Sequence, residues 1–272
     1  LLGGNRISFY RNLMAHFTIR NPSLTSMGSR NGIIDIRNNI VYNWSERTTN
    51  NGSNTTTNLI NNLFKPGPGT LNSGGHVINN FLWPTASNGN PGRYGKFFLS
   101  GNKLIGRPEI DSNQWLGVRL ENSKNTELYL EDCKNRDENG ILIPFPIPQN
   151  LYSNPLTADQ AYQQVQKSVG ASLYRDSVDS RIIYETITGT YIYKGSKSGL
   201  KGIIDSQNDV GGWPKLKNLP APKDTDRDGM PDEWEIKMGL DPEKRSDRFY
   251  DLNPDFTNLE VYMNGLVAHI IN

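Results

Sequence analysis

The sequence predicts an all-β chain organised as a right-handed parallel β-helix, with short helices in a C-terminal extension. Three observations predict it. Short apolar strands, each carrying Asn, recur through residues 1–108, at 7–13, 34–41, 58–64, 76–82 and 97–104, with their Asn residues 18 to 26 apart. A unit of about 20 residues carrying one or two short strands marks a solenoid. The composition is that of a loop-rich β protein, with 35% hydrophobic and 21% charged residues, 26 Gly and 16 Pro in 272. Helix start signals, by contrast, fall late, at Thr157 and Thr257.

Within each unit, apolar and polar residues alternate, so one face of each strand points inward. Asn suits the bends because it tolerates the left-handed conformation, and stacked Asn amides satisfy one another in a ladder. The Asn step recurs at the same place in each unit, which favours a β-helix over an up-and-down barrel. Asn50-Asn51-Gly52-Ser53-Asn54 and Gly67-Pro68-Gly69 read as loops between coils. Residues 109–155 show no periodicity, and Pro144, Pro146, Pro148 and Pro155 make an extended run laid across the coils. Thr157-Ala158-Asp159-Gln160 is a capping box opening a helix through Ala161, Tyr162, Val165 and Val169, with Gly170 as its stop. Ile182-Ile183-Tyr184 and Thr190-Tyr191-Ile192-Tyr193 read as short strands. Thr257-Asn258-Leu259-Glu260 caps a last helix through Tyr262, Met263 and Leu266. The expected divisions are coils at 1–108, an extension at 109–220 and a terminal region at 221–272.

Residues 224–235 form an EF-hand-like calcium loop. Asp224, Asp226, Asp228, Asp232 and Glu235 fall at loop positions one, three, five, nine and twelve, with Gly229 at six and Met230 offering its carbonyl at seven. Calcium takes six to eight oxygens; alternating Asp in a turn converges carboxylates, Gly permits the bend, and a bidentate Glu closes the shell. No second complete loop accompanies it, so a structural clamp is expected rather than a sensor.

The net charge of +1 conceals a division. Residues 1–108 hold eleven Lys or Arg against two acids, Asp35 and Glu46, and the remainder holds eighteen against twenty-six. The first part attracts a polyanion; its cations include Arg11, Arg20, Arg30, Arg37, Arg47 and Lys65. Basic charge is the only feature pointing to nucleic acid, so no nucleic-acid partner is expected. The first part lacks the paired carboxylates of a glycoside hydrolase. His16, His76 and His269 are too scattered for a metal or triad and are read as structural. Cys133, the only cysteine, reads as an inert thiol. No apolar run approaches a membrane span. The chain opens on Leu1 without a signal peptide, as expected of a processed or truncated product.

The run 7–16, then Arg20-Asn21-Pro22, residues 35–44 and 61–68 resemble the latter half of the family 1 pectate lyases. Asp205-Ser206-Gln207, Gly211-Gly212-Trp213-Pro214, the acidic loop and residues 257–260 resemble the C-terminal extension of bacterial, Bacteroidetes-like members. The resemblance implies the C-terminal part of a β-helix and calcium-dependent β-elimination on polygalacturonate. It implies Arg20 as the base that takes the C5 proton, with Arg37, Arg47 and Lys65 binding substrate. It also implies a secreted, periplasmic or cell-surface location. An arginine, with a pKa above about 12, is a poor base in water, so the role requires surrounding positive charge and stabilisation of the enolate-like transition state. The family's catalytic calcium ligands and a substrate-binding lysine come from coils upstream of Arg20, which have no counterpart here. Either an N-terminal half is expected to have been removed or to be a separate chain, or the chain is a degenerate homologue; alone it is expected to be weak or inactive. Ser23 also stands where many relatives have Arg. The competing expectation is a non-catalytic β-helix that binds acidic polysaccharide or acts as a scaffold.

Overall fold

The computed structural model describes residues 6–25, 32–86, 94–121, 126–148 and 154–271; Arg30 lies outside them. The chain forms two compact units: residues 1–169 with 179–213, and residues 170–178 with 214–272.

In the first unit the chain visits three sheets in turn. β1 (Arg6–Tyr10), β2 (Leu13–Ala15) and β3 (Ser23–Leu24) make one circuit, and β4 (Ile33–Arg37), β5 (Ile40–Tyr42) and β6 (Thr49–Asn51) the next. β7 (Thr56–Ile60) and β8 (Leu63–Lys65) follow, then two single-turn helices, α1 (Pro68–Leu71) and α2 (Gly75–Ile78), before β9 (Leu82–Pro84). β10 (Lys96–Ser100) and β11 (Lys103–Leu104) complete the set. The sheets are β1-β4-β7-β10, β2-β5-β8-β11 and β3-β6-β9, and every strand pair is parallel. Parallel sheets visited in this order are compatible with a parallel β-helix.

Strand alternation decides what each column buries. Phe9, Ile36, Leu59 and Leu99 stack in register through the first sheet, and Met14, Val41, Phe64 and Leu104 through the second. Both columns belong to the main core, with Trp44, Phe81 and Phe97. Full burial of each such side chain contributes about 1.5–3 kcal/mol. The alternate column Leu13, Ile40 and Leu63 faces outward and is covered by Ala158, Tyr162, Val165 and Val169. Three of these lie on α5 (Ala158–Ser168), which opens on the expected capping box at Thr157.

The Asn residues form the expected ladder. The side-chain amide of Asn12 donates to Asn39 Oδ1 at 3.0 Å, that of Asn39 to Asn62 Oδ1 at 3.0 Å, and that of Asn62 to Asn102 Oδ1 at 2.9 Å. The backbone N–H of Asn12, Asn39 and Asn62 donates to the same oxygens. Gln114 closes the top, accepting both N–H groups of Asn102 and donating to Asn102 O and Ile110 O. The residue before each ladder Asn has a left-handed backbone: Arg11 (φ 55°), Asn38 (57°), Asn61 (52°) and Gly101 (63°).

The ladder corrects one repeat. Its steps are 27, 23 and 40 residues, because the unit at 76–82 is not a coil. α2 takes up its first half, and Leu82 opens β9 in the third sheet. A lone apolar/Asn match does not separate a strand from a helical turn. The strand expected at Ile182–Tyr184 is likewise absent. Those residues lie in α6 (Ser177–Thr188), where Thr186 and Thr188 hydroxyls bond the carbonyls four residues back. Residues 190–193 form no strand either.

Residues 109–121 and 126–148 pack on the last coils. They include α3 (Glu109–Ser112) and α4 (Thr126–Asp132), and they extend two sheets by single bridges, Val118 to Leu82 and Lys134 to Phe97. The Pro-rich run is clamped where Asn58 exchanges two hydrogen bonds with the Phe145 backbone. Cys133 is fully buried, and its thiol is pushed up to about 12, chiefly by burial, as expected of an inert group.

Asn62→Ala should lower the unfolding free energy by at least about 2 kcal/mol, because it orphans buried N–H groups on Asn39 and removes the donor to Asn102. Asn12→Ala, at the ladder's end, should cost about 1 kcal/mol. Urea denaturation measures both. Equal losses at the two positions would show that the ladder does not act as a buried chain.

Candidate functional site

Arg20 sits in the turn between β2 and β3, and neighbouring backbone holds that turn from both sides. Thr18 O accepts N–H groups from Glu46 and Arg47 of the next circuit. Asn21, which is buried, donates its N–H to Thr48 O at 3.0 Å and its amide to Arg47 O at 3.2 Å. Between these anchors Arg20 adopts φ 72°, and the Asn21–Pro22 peptide is cis. A left-handed backbone at a non-Gly residue costs on the order of 1–3 kcal/mol and persists only where its surroundings over-determine it. The Arg20 side chain is exposed and makes no hydrogen bond or ion pair with another described residue. The turn therefore presents a guanidinium from a fixed backbone.

The other expected cations are differently placed. Arg47 lies one circuit on, at Arg20's register position, since Ser23 pairs with Asn50; its guanidinium meets Glu121. Arg37 forks onto buried Asp35, with two bonds of 3.1 Å. Lys65 Nζ donates to Thr186 O (2.7 Å), Ile187 O (2.9 Å) and the Tyr162 hydroxyl (3.0 Å), so it caps the C-terminal end of α6. Arg11 lies 4.8 Å over the Tyr10 ring. Only Arg47 shares a register column with Arg20, and its charge is directed at Glu121.

The structure also assembles a polar group that sequence reasoning passed over. His16, four residues before Arg20, has Nε2 2.7 Å from Glu185 Oε2, close but not in line for a hydrogen bond. Asn43 fixes the ring. Its Oδ1 accepts from Gly69 N at 2.7 Å, so its Nδ2 faces His16 Nδ1 (2.9 Å) and Lys201 O (2.8 Å). His16 Nδ1 is then the acceptor, and the ring proton on Nε2 faces Glu185. Glu185 Oε1 accepts from Ile192 N, and Arg181 lies 3.4 Å from Oε2. Tyr42, whose hydroxyl donates to Thr190 O, is held above its usual range by burial first and by Glu185 next. His16 and Glu185 are 169 residues apart, and no local pattern signals the pair.

In the second unit the acidic loop folds on its own backbone. Asp224 accepts N–H groups from Arg227, Asp228 and Gly229, Asp226 accepts from Asp228, and Asp228 accepts from Met230 and Ser246. Arg227 (φ 61°) and Gly229 (φ 97°) supply the left-handed bends. Carboxylate oxygens of Asp224, Asp226 and Asp228 lie within 4.8 Å of one another, the one such acidic cluster among the described residues. Both oxygens of Glu235 and Oδ2 of Asp226 are buried without a hydrogen-bond partner. Burial first, then Asp228, Asp226, Asp224 and Asp232, push Glu235 up to about 7; burial and Asp228 raise Asp226. Asp232 differs: its oxygens bond Thr225 N, Thr225 Oγ1 and Lys223 Nζ, and the Lys223 contact foremost lowers it to about 2. Crowded acids with orphaned buried oxygens fit a hard divalent cation held by Asp224, Asp226, Asp228 and Glu235. Glu235 sits on α7 (Asp232–Met238), and α8 (Asn258–Ile271) follows from its own cap at Thr257.

Two predictions follow from these geometries. Burial works to raise Glu185, but the His16 contact, the Ile192 N–H and Arg181 outweigh it and hold the group below its ordinary 4.5. A carboxylate depressed on folding stabilises the protein above its unfolded value and loses that contribution as pH falls through the folded one. Stability should therefore drop on acidification below about pH 4.5, and Glu185→Gln should flatten that acid limb and cost roughly 3 kcal/mol at pH 7. An unchanged limb in urea titrations across pH would refute the assignment. Excess chelator should lower the thermal midpoint of the calcium-loaded chain, since a ligand bound only by the folded state stabilises by mass action; Glu235→Gln should remove most of that shift.

No family model matches the chain. It is similar to proteins named "Probable pectate lyase C": 28% identical over 270 residues to that of Emericella nidulans, covering 96% of this chain and 52% of the relative. Those of Neosartorya fischeri and Aspergillus fumigatus are 28% identical over 275 and 274 residues, each match covering 96% of this chain and 53% of the relative. These relatives are fungal, so they give no support to the bacterial, Bacteroidetes-like resemblance expected of the extension. The chain spans about half the length of the curated relatives it matches, and over nearly all of its own residues it is similar to pectate lyases.

Proposed function

We propose that the chain is part of a secreted pectate lyase that cleaves polygalacturonate by calcium-dependent β-elimination on a right-handed parallel β-helix. The observation that carries this reading is Arg20. It is an exposed guanidinium on a strained, doubly anchored turn, within a chain similar to pectate lyases over 96% of its length.

In this reading Arg20, as the neutral guanidine, takes the C5 proton of a galacturonate unit; the C5–H electrons form a C4=C5 double bond as the C4–O bond breaks, and the 4-linked sugar departs with that bond's electron pair. The fixed turn lowers the entropy cost of aligning the guanidine with that proton. Arg47, one register position on, adds positive charge beside the cleaved unit and exchanges Glu121 for a substrate carboxylate. Arg37 and Lys65 support the site through the protein: Arg37 neutralises buried Asp35, and Lys65 ties α6 to the coils. In such chemistry calcium bound to the uronate carboxylate acidifies C5. The loop at 224–235 is read as a separate structural calcium site. Asp224, Asp226, Asp228 and Glu235 would hold the ion and the Met230 carbonyl would add an oxygen, while Asp232 braces the loop through Thr225. Among the described residues no helix is long and apolar enough to cross a membrane.

With polygalacturonate and calcium the protein should release unsaturated product that absorbs in the near ultraviolet. Arg20→Ala should cut that release by roughly 100-fold or more while leaving substrate binding within about twofold. Undiminished product from Arg20→Ala would remove its role as base. Binding without product from the unsubstituted protein would favour the alternative, a non-catalytic β-helix that binds acidic polysaccharide or serves as a scaffold.

A further inference from the structure

Residues 186–204 carry three cations, Lys194, Lys197 and Lys201, and no acid. Their backbone is tightly specified. Lys194 and Lys201 pair antiparallel, flanked by hydrogen bonds from Gly195 N to Leu200 O and from Gly202 N to Tyr193 O. The Asp205 carboxylate accepts from Lys197 N and Ser198 N, and Asp209 accepts from Ser196 N. This knuckle is seated on the coils where Lys201 O accepts from Asn43, and a Cβ on Gly202 would come within 2.6 Å of His16 Nδ1.

Two features of the knuckle do nothing for its own stability. Lys194 and Lys201 are like charges directly opposite across a bridge, an arrangement that destabilises a strand pair. Among the described residues neither forms an ion pair. Beside them Tyr191, Ile192 and Tyr193 are exposed, at 37%, 53% and 39%. Lys201 Nζ lies 6.0 Å over the Tyr191 ring, and Arg181 lies 5.4 Å over Tyr193. A rigid mount that sets Lys201 against the exposed Tyr191 ring, with Lys194 directly opposite it and Tyr193 nearby in sequence, matches a uronate unit, whose C–H face packs on an aromatic ring while its carboxylate meets an ammonium.

We propose that Lys194, Lys201, Tyr191 and Tyr193 form a second binding platform for an acidic polysaccharide, outside the Arg20 turn. It rests on the reading that the chain acts on a polyuronate. The knuckle adjoins His16, four residues from Arg20, so the platform holds the polymer near the turn and raises its local concentration there. Repulsion between the two lysines is relieved when a carboxylate sits between them.

The test uses the whole chain carrying Arg20→Ala, so that no polymer is cleaved. Its retardation by polygalacturonate, alginate and neutral dextran is measured by affinity electrophoresis, with and without Lys194→Gln/Lys201→Gln. The platform requires retardation by a polyuronate, none by dextran, and a loss of roughly tenfold in affinity on adding the double substitution. The loss should shrink at high salt. The double variant should keep or raise its thermal midpoint, because like-charge repulsion is removed; a lowered midpoint would mark the lysines as merely structural. Tyr193→Ala should weaken binding without changing its salt dependence. Retardation by polygalacturonate that the double substitution leaves intact overturns the platform and leaves the reading of Arg20 standing. Retardation by alginate alone, lost in the double variant, sustains the platform and overturns polygalacturonate as the substrate. No retardation by either polyuronate overturns the platform.

Discussion

The first unit depends on a line of carboxamides. Asn39, Asn62 and Asn102 each fill the bend between the first and second sheets and satisfy the N–H groups of the Asn below. Asn39 and Asn62 are buried, where an unpaired donor costs about 1–3 kcal/mol, so the bends cannot drift relative to one another. The apolar columns on either side keep their register as a consequence. Gln114 ends the line by offering both an acceptor and a donor, which satisfies the last ladder residue, Asn102, where no further Asn follows.

That rigidity shapes the charge of the site. The excess of Lys and Arg in residues 1–108 suggests a cationic surface, yet much of it is spent internally. Arg37 neutralises Asp35, Lys65 caps α6, and Arg47 meets Glu121. Net charge does not separate a solvated cation from one that is an internal strut, because the partners Glu121 and Thr186 come from distant sequence. What distinguishes Arg20 from these three is a left-handed backbone in a turn anchored on both sides, carrying a guanidinium that meets no other described residue.

Features with a local physical cause were legible in the sequence: the Asn bends, the capping boxes at Thr157 and Thr257, and the alternating acids from Asp224. Features set by distant partners were not. Ile182–Tyr184 reads as a strand from its own residues, and the helix is favoured by Glu185 reaching His16 and by Lys65 closing the helix end. The unit at 76–82 imitates the repeat, but between β8 and β9 the chain uses those residues for a helical turn and the start of a strand of another sheet. In the acidic loop the spacing finds the three converging carboxylates and Glu235, whereas the bond from Thr225 to Asp232 depends on the folded turn.

Asn43 carries a consequence of a different kind. Its one amide touches Gly69, His16 and Lys201, and a Cβ on Gly67, Gly69 or Gly202 would fall within 2.8 Å of that side chain or its partners. These positions are therefore not free to vary singly. A lineage that enlarged one glycine would have to shorten or lose Asn43, and with it the link between the coils and the knuckle. Asn43, Gly67, Gly69 and Gly202 should thus be inherited as a set or lost as a set. Homologues that lack the set would join the segment after α6 to the coils by other contacts.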